Sequence, residues 1–231
     1  MSYLTLTWPW TLLVAGPTGA GKTSLTADIV RNITTYSDFT PKKIYVIYRE
    51  MQPLYKTLSG PCPIEFVHGL GEDFKHDIDS LLIIDDLQIS ADKRVISELF
   101  TIKSHHANCS IIYLVQNLFD KDPRHRVVSL NSHYIVLFRN PRDRSQIQHL
   151  GKQMLSPQLI QFAYKRATAQ PHSYLLVDLK QNTPDFARFR ASVGPISDLV
   201  RAVIYCDLDD LQNYIGQLPP SLKQQLLPQQ P

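Results

Sequence analysis

Cysteine is scarce in this chain: Cys62, Cys109 and Cys206 are the only 3 in 231 residues. An odd, scattered set without metal-ligand spacing argues against a disulfide framework and a zinc site, so reduced thiols in packing roles are expected. Long hydrophobic runs are lacking too. No apolar stretch approaches the roughly 18 residues a membrane span needs, so no membrane helix is expected. The opening MSYLTLTWPW has neither a basic n-region nor a small-residue cleavage site and does not read as a secretory signal, which leaves an intracellular protein as the expectation. Charge of one sign is in little excess: 24 Lys+Arg against 21 Asp+Glu give a net +3. The pI of about 8.7 falls below the value near 9 that would by itself mark a nucleic-acid footprint. DNA is permitted as a partner by composition but not demanded. Internal repeats, an RNA-binding signature and a DNA recognition helix are all missing. What remains is ordinary for a globular protein, 43% hydrophobic and 19% charged, and long enough for one large α/β domain.

Apolar, β-rich runs recur at Thr11–Ala15, Lys43–Tyr48, Ile64–Val67, Leu81–Ile84, Ile111–Val115, Tyr134–Phe138 and Tyr174–Val177. Several are continuous, not alternating, as expected of strands covered on both faces. Helical spacing lies between them at Lys22–Ile33, Asp92–Lys103, Arg144–Gly151 and Pro157–Thr168. This alternation implies a doubly wound, mostly parallel sheet flanked by helices. Ser90 is the expected N-cap of the second helix, which should begin near Ala91. Residues 1–192 read as one domain. The pattern then changes: Pro195–Ile215 suits one or two amphipathic helices, and the Pro- and Gln-rich end of the 193–231 tail reads as flexible or partner-dependent.

The first motif with chemistry in it follows the first strand. Gly16-Pro17-Thr18-Gly19-Ala20-Gly21-Lys22-Thr23 fits G-x-x-x-x-G-K-[ST] at every fixed position, and Ser24 continues it into the first helix. A triphosphate is cradled by successive backbone N–H groups, which only a glycine-rich turn can aim inward at close range. Lys22 supplies a point charge to the β- and γ-phosphates, and the Thr23 hydroxyl is placed to hold Mg²⁺. The bland alternative is a glycine-rich turn with an incidental lysine; the strand before it and the helix after it argue against that.

A second motif supplies carboxylates. Ser80–Gln88, SLLIIDDLQ, is an apolar run ending in two aspartates, the pattern of a Walker B strand. Asp85 is the expected metal-side residue, and Asp86 the group that orients or deprotonates the attacking water. A further strand, NCSIIYLVQN, ends in Gln116, which suits either a solvated strand terminus or a sensor that touches the γ-phosphate.

With these residues in hand the chain resembles the FtsK-HerA superfamily of DNA-pumping ATPases, and within it the poxvirus-type packaging branch. Ser104–Phe119 (SHHANCSIIYLVQNLF) and Ser129–Gln148 (SLNSHYIVLFRNPRDRSQIQ) are similar to the ATPases of Maverick/Polinton elements and related viruses of eukaryotes. The resemblance spans about residues 10–190. It implies a RecA/ASCE-like P-loop NTPase fold, ATP and Mg²⁺ as cofactors, and ATP-driven translocation of double-stranded DNA by a homo-oligomeric ring. It also implies capsid proteins as candidate partners and a location in the virion or in the host nucleus or cytoplasm. It favours the sensor role for Gln116. One departure matters: members carry a trans-acting arginine upstream of the Gln-ended strand, where this chain has His105. A neutral imidazole is a poor substitute for a permanently charged guanidinium. Lys103, Arg139, Arg142 and Arg144 are the alternatives, with Arg142 and Arg144 ranked first because they follow a strand end.

The segment Asp120–Lys152 is locally basic and could track a phosphate backbone without reading bases, or be no more than a solvated face. Tyr45, Tyr48, Tyr55 and Phe66 are expected to pack in the core rather than stack on bases. Two other functions compete with a DNA translocase: a nucleoside or small-molecule kinase whose RNPRDR stretch forms a lid, and a nucleotide-binding scaffold with weak turnover.

Overall fold

Branched aliphatic runs form strands here, and where those runs are continuous the strands are buried on both faces. The computed structural model describes residues 5–71, 73–85, 87, 90–103, 107–119, 122–154, 157–193 and 204–205. The strands are β1 (Thr11–Ala15), β2 (Lys43–Tyr48), β3 (Ile64–His68), β4 (Ser80–Asp85), β5 (Ser110–Val115), β6 (Tyr134–Phe138), β7 (Tyr174–Asp178), β8 (Phe189–Arg190) and β9 (Ile204–Tyr205). The helices are α1 (Lys22–Arg31), α2 (Ile33–Tyr36), α3 (Ser90–Glu98), α4 (Pro123–Leu130), α5 (Ser145–Gln153) and α6 (Pro157–Ala167). Every residue of β1, β4, β5 and β6 is buried.

One sheet of 9 strands results, in the order β3-β2-β4-β5-β1-β6-β7-β8-β9. From β3 to β6 all neighbours are parallel; β7, β8 and β9 continue antiparallel. Alternation along each strand divides the core in two. Leu12 and Val14 face a cluster with Leu25, Ile29 and Ile33, so α1 covers that side. Leu13 and Ala15 face the opposite cluster, where Val95 and Ile96 of α3, Ile147 and Leu150 of α5, and Ile160 and Ala163 of α6 pack. Helices on both faces make this a doubly wound α/β architecture with a mostly parallel sheet.

Several details differ from the sequence-based expectations. The helix expected over Asp92–Lys103 begins at Ser90 and ends at Glu98, followed by one π-helical turn, Leu99–Lys103; the Ser90 side chain lies outside the described residues. α4 was not anticipated, although Asp122 caps it by accepting from the Arg124 N–H at 2.9 Å and Pro123 opens it. Ile204–Tyr205 fall where amphipathic helix was expected, but pair with β8 instead, so the sheet extends beyond residue 192. The rest of the 193–231 tail, Cys206 included, lies outside the described residues, Val193 excepted. Tyr45 and Tyr55 are buried as expected, whereas Phe66 is 38% exposed because β3 is the sheet edge. Cys109 is buried, and burial pushes its thiol up to about 12, in keeping with a packing role. No described helix is long and apolar enough to cross a membrane.

Candidate nucleotide site

Parallel strands end together, and three of these ends meet at one edge. Ala15 is in register with Val115, and Leu114 with Asp85, so β5 lies between the P-loop strand and the strand carrying the acid. The residues just past these ends surround a cleft of about 690 Å³, lined among others by Thr18, Lys22, Thr23, Asp85, Gln116 and His172. That volume is in the range of small-molecule sites.

The loop Gly16–Gly21 is shaped for close backbone approach. Gly16 takes the first step off β1 and its N–H donates to the Val115 carbonyl at 3.2 Å. A Cβ at Gly16 would stand 2.7 Å from the Cβ of Phe138 on β6, so no side chain fits. Gly21 has φ +110°, in the left-handed region where a side chain is strained, and opens α1 from there. Turning through these glycines aims the first N–H groups of α1 at the cleft, where the helix dipole favours an anion. The Lys22 ammonium donates to the Gly16 carbonyl at 2.7 Å and to the Pro17 carbonyl at 3.1 Å, which keeps its charge over the loop.

Asp85 ends β4 and is only 7% exposed. A carboxylate so buried needs donors, and one comes from Tyr55, whose hydroxyl donates to Asp85 Oδ2 at 2.6 Å. Tyr55 is 1% exposed. Burial, the charge of Asp85 and the bond to it raise the Tyr55 phenol far above its ordinary range. Thr23 and Asp85, 62 residues apart in sequence by their numbers, line one cleft, and Asp85 is held there by a side chain that neither motif contains. A hydroxyl and a single carboxylate are hard oxygen donors that suit Mg²⁺, which keeps waters and substrate phosphates as its other ligands. Among the described residues no group of three or more His, Cys, Asp or Glu side chains could hold a metal unaided.

Gln116 follows β5 directly and is exposed at the cleft. Asp86 and His105 lie outside the described residues. Arg142 and Arg144 are exposed beyond the end of β6. They are not in the nucleotide cleft: Arg144 lines a second one, about 630 Å³, together with Arg139, Phe162 and Lys165. None of Arg139, Arg142, Arg144 and Lys165 has a carboxylate within salt-bridge distance among the described residues. Arg124 differs from these: it is bonded to Asp122 through Nε at 3.0 Å and Nη2 at 2.9 Å, so the basic segment divides into paired and unpaired cations.

Three further residues escaped the sequence reading. His172, on the α6–β7 connection, places Nδ1 3.2 Å from the Ala20 carbonyl oxygen and thereby braces the P-loop. Gln52 lines the cleft from the β2–β3 connection. Gln146 on α5 is buried; its Oε1 accepts from the Leu118 N–H at 2.7 Å and its Nε2 donates to Asp143 Oδ2 at 2.7 Å. It therefore ties the turn after Gln116 to the loop that carries Arg142 and Arg144. His172 and Gln52 sit in no motif, Gln146 lies inside the Ser129–Gln148 stretch without a signal of its own, and the contacts from His172 to Ala20 and from Gln146 to Leu118 span 152 and 28 residues, beyond the reach of periodicity.

No protein-family model matches the chain, and no curated protein matches it in sequence. Among solved structures, the genome packaging NTPase B204 from Sulfolobus turreted icosahedral virus 2, in complex with ATP-gammaS, is similar at 15% identity with a TM-score of 0.46, over 75% of this chain and 94% of that one. A likeness at that level carries no functional weight, and the site rests on its own geometry.

Proposed function

We propose that this chain binds ATP with Mg²⁺ in the cleft over β1, β5 and β4, hydrolyses it, and uses the energy to translocate double-stranded DNA as a ring of subunits, in packaging viral or virus-like element DNA within the virion or host cell. The observation that carries the proposal is the meeting of Lys22, Thr23, Asp85 and Gln116 around one cleft, with β5 between the other two strands. Bound with the nucleotide, Mg²⁺ would be held by Thr23 and Asp85 and would neutralise charge on the β- and γ-phosphate oxygens. The loop N–H groups and Lys22 bind the phosphates. Gln116 orients the attacking water toward the γ-phosphorus. As the water oxygen bonds to phosphorus, the β–γ bridging P–O bond breaks, ADP leaves, and the water proton passes to Asp86.

Transition-state charge is met in trans, by Arg142 or Arg144 of the neighbouring subunit in place of His105. Support for this comes from their exposure on the same sheet edge as the P-loop but outside its cleft. The unpaired cations Arg139, Arg142, Arg144 and Lys165 offer non-specific contacts to DNA phosphates. Capsid proteins are the further partners of a packaging role. A kinase is disfavoured because the described residues between β2 and β4 hold only a short 3₁₀ turn and β3, too little for a helical substrate cap. A γ-³²P label tests the reaction class. The proposal expects free phosphate that disappears in Lys22→Ala; transfer of the label to an acceptor would indicate a kinase, and binding without release a scaffold.

A further inference from the structure

Tyr55 holds one of the two side chains that the proposed site would use to bind a cation. It lies in the 3₁₀ turn Pro53–Thr57 on the connection from β2 to β3, and its hydroxyl donates to Asp85 Oδ2 at 2.6 Å. A phenol has one proton to donate. With that proton directed at Oδ2, the Asp85 carboxylate is fixed in its rotation at the end of β4, where it lines the same cleft as Thr23. A carboxylate held in one rotation is preorganised to ligate a cation.

Packing alone does not call for the hydroxyl. The ring sits in the apolar cluster with Leu25, Val46 and Ile83, where a phenylalanine would serve as well. What the oxygen adds is a bond to the buried carboxylate at the end of β4. We propose that Tyr55 is a positioning residue of the metal–nucleotide site, the outer member of a Tyr55–Asp85 relay that sets the Asp85 carboxylate as a cation ligand; this rests on the nucleotide-site reading above. The relay makes the β2–β3 connection part of the site, and Gln52, immediately before the same turn, lines the cleft.

The test is a Tyr55→Phe variant of the full chain, titrated with Mn²⁺ in the presence of a non-hydrolysable ATP analogue, with free Mn²⁺ read by electron paramagnetic resonance. Affinity for the analogue in excess EDTA is measured alongside. The relay predicts Mn²⁺ affinity lower by about 10–100-fold, the usual effect of losing an outer-shell partner, with metal-free nucleotide affinity unchanged. Unchanged Mn²⁺ affinity, or an equal loss in both titrations, overturns it. Wild-type protein that gains no nucleotide affinity from metal would overturn the nucleotide site itself, a different result from a variant that merely matches a metal-responsive wild type. If Tyr55→Phe does not fold, amide exchange in wild type decides: exchange across residues 51–58 must slow when metal is added to the nucleotide-bound protein, and no metal-dependent change overturns the relay.

Discussion

Replacing Gln146 with leucine keeps the side-chain volume close to native and deletes three hydrogen bonds, the longest of them to Asn117 Oδ1 at 3.5 Å, that hold separate parts of the cleft rim together. The Leu118 N–H, now 2.7 Å from Gln146 Oε1, would be buried without that acceptor, and an unsatisfied buried donor costs about 1–3 kcal/mol. The bond to Asp143 Oδ2 is also 2.7 Å but partly exposed, so it adds only about 1 kcal/mol, below the usual range for charged partners. Together they predict a loss of about 2–4 kcal/mol. In a chain of this size that lowers Tm by about 4–16 °C, at about 2–4 °C per kcal/mol. Gln146→Glu separates the two contributions. Its carboxylate still accepts from Leu118 but faces Asp143, whose own carboxyl is held low by its bonds to Ser145 and Gln146. Like charges raise the pKa of the new glutamate in the folded state, so its destabilisation is largest at neutral pH and is relieved as pH falls to about 5 and below. Thermal melts of both variants from pH 4 to 8, with phosphate release in parallel, provide the readout. Loss of the tether should also lower turnover, because the Gln116 turn and the Arg142–Arg144 loop no longer share a support. A Gln146→Leu melt that coincides with wild type would refute this reading.

Two stability predictions lie away from the cleft. Arg190 and Asp178 form an ion pair at 2.7 Å with side chains 1% and 3% exposed, joining β8 to β7. Arg190→Met strands the buried carboxylate and should cost about 3–5 kcal/mol in a denaturant titration; a change below about 1 kcal/mol would mean that Asp178's other partners suffice. The hydrogen bond from the Arg124 guanidinium, with help from the Arg124 N–H, pulls the Asp122 carboxyl down to about 2. Its folded-state pKa lies below the unfolded value near 4, so this stabilisation is complete above about pH 4 and is lost as pH falls toward 2. Asp122→Asn should therefore show a shallower fall in Tm between pH 4 and 2 than wild type; parallel profiles would contradict it.

Much of the fold was legible because its inner strands are buried on both faces and so must be continuously apolar. LLVA before the P-loop and LLII before Asp85 leave little other choice. The P-loop was legible because its phosphate chemistry requires fixed residues at fixed spacing. What lay hidden was set by contacts across the chain. Tyr55 looked like any buried aromatic, and its ring is one; only its position opposite Asp85, 30 residues away, makes its oxygen matter. The antiparallel β8 and β9 are 2 residues each, too short to carry a period. α4 carries a local signal in Asp122-Pro123, a capping residue followed by proline at the first helical position, but its basic residues equally suit a charged surface. Phe66 was misplaced because strand order, which puts β3 at the edge, is not written in the strand itself.

The central claim, that this cleft turns over ATP to move DNA, is tested most directly by phosphate release with and without long duplex DNA across a salt series. Duplex DNA is expected to stimulate release, the stimulation to fall steeply as salt screens the phosphate contacts, and turnover to vanish in Lys22→Ala and Asp86→Asn. Release that ignores duplex DNA at every salt concentration, or that persists in Lys22→Ala, would contradict it.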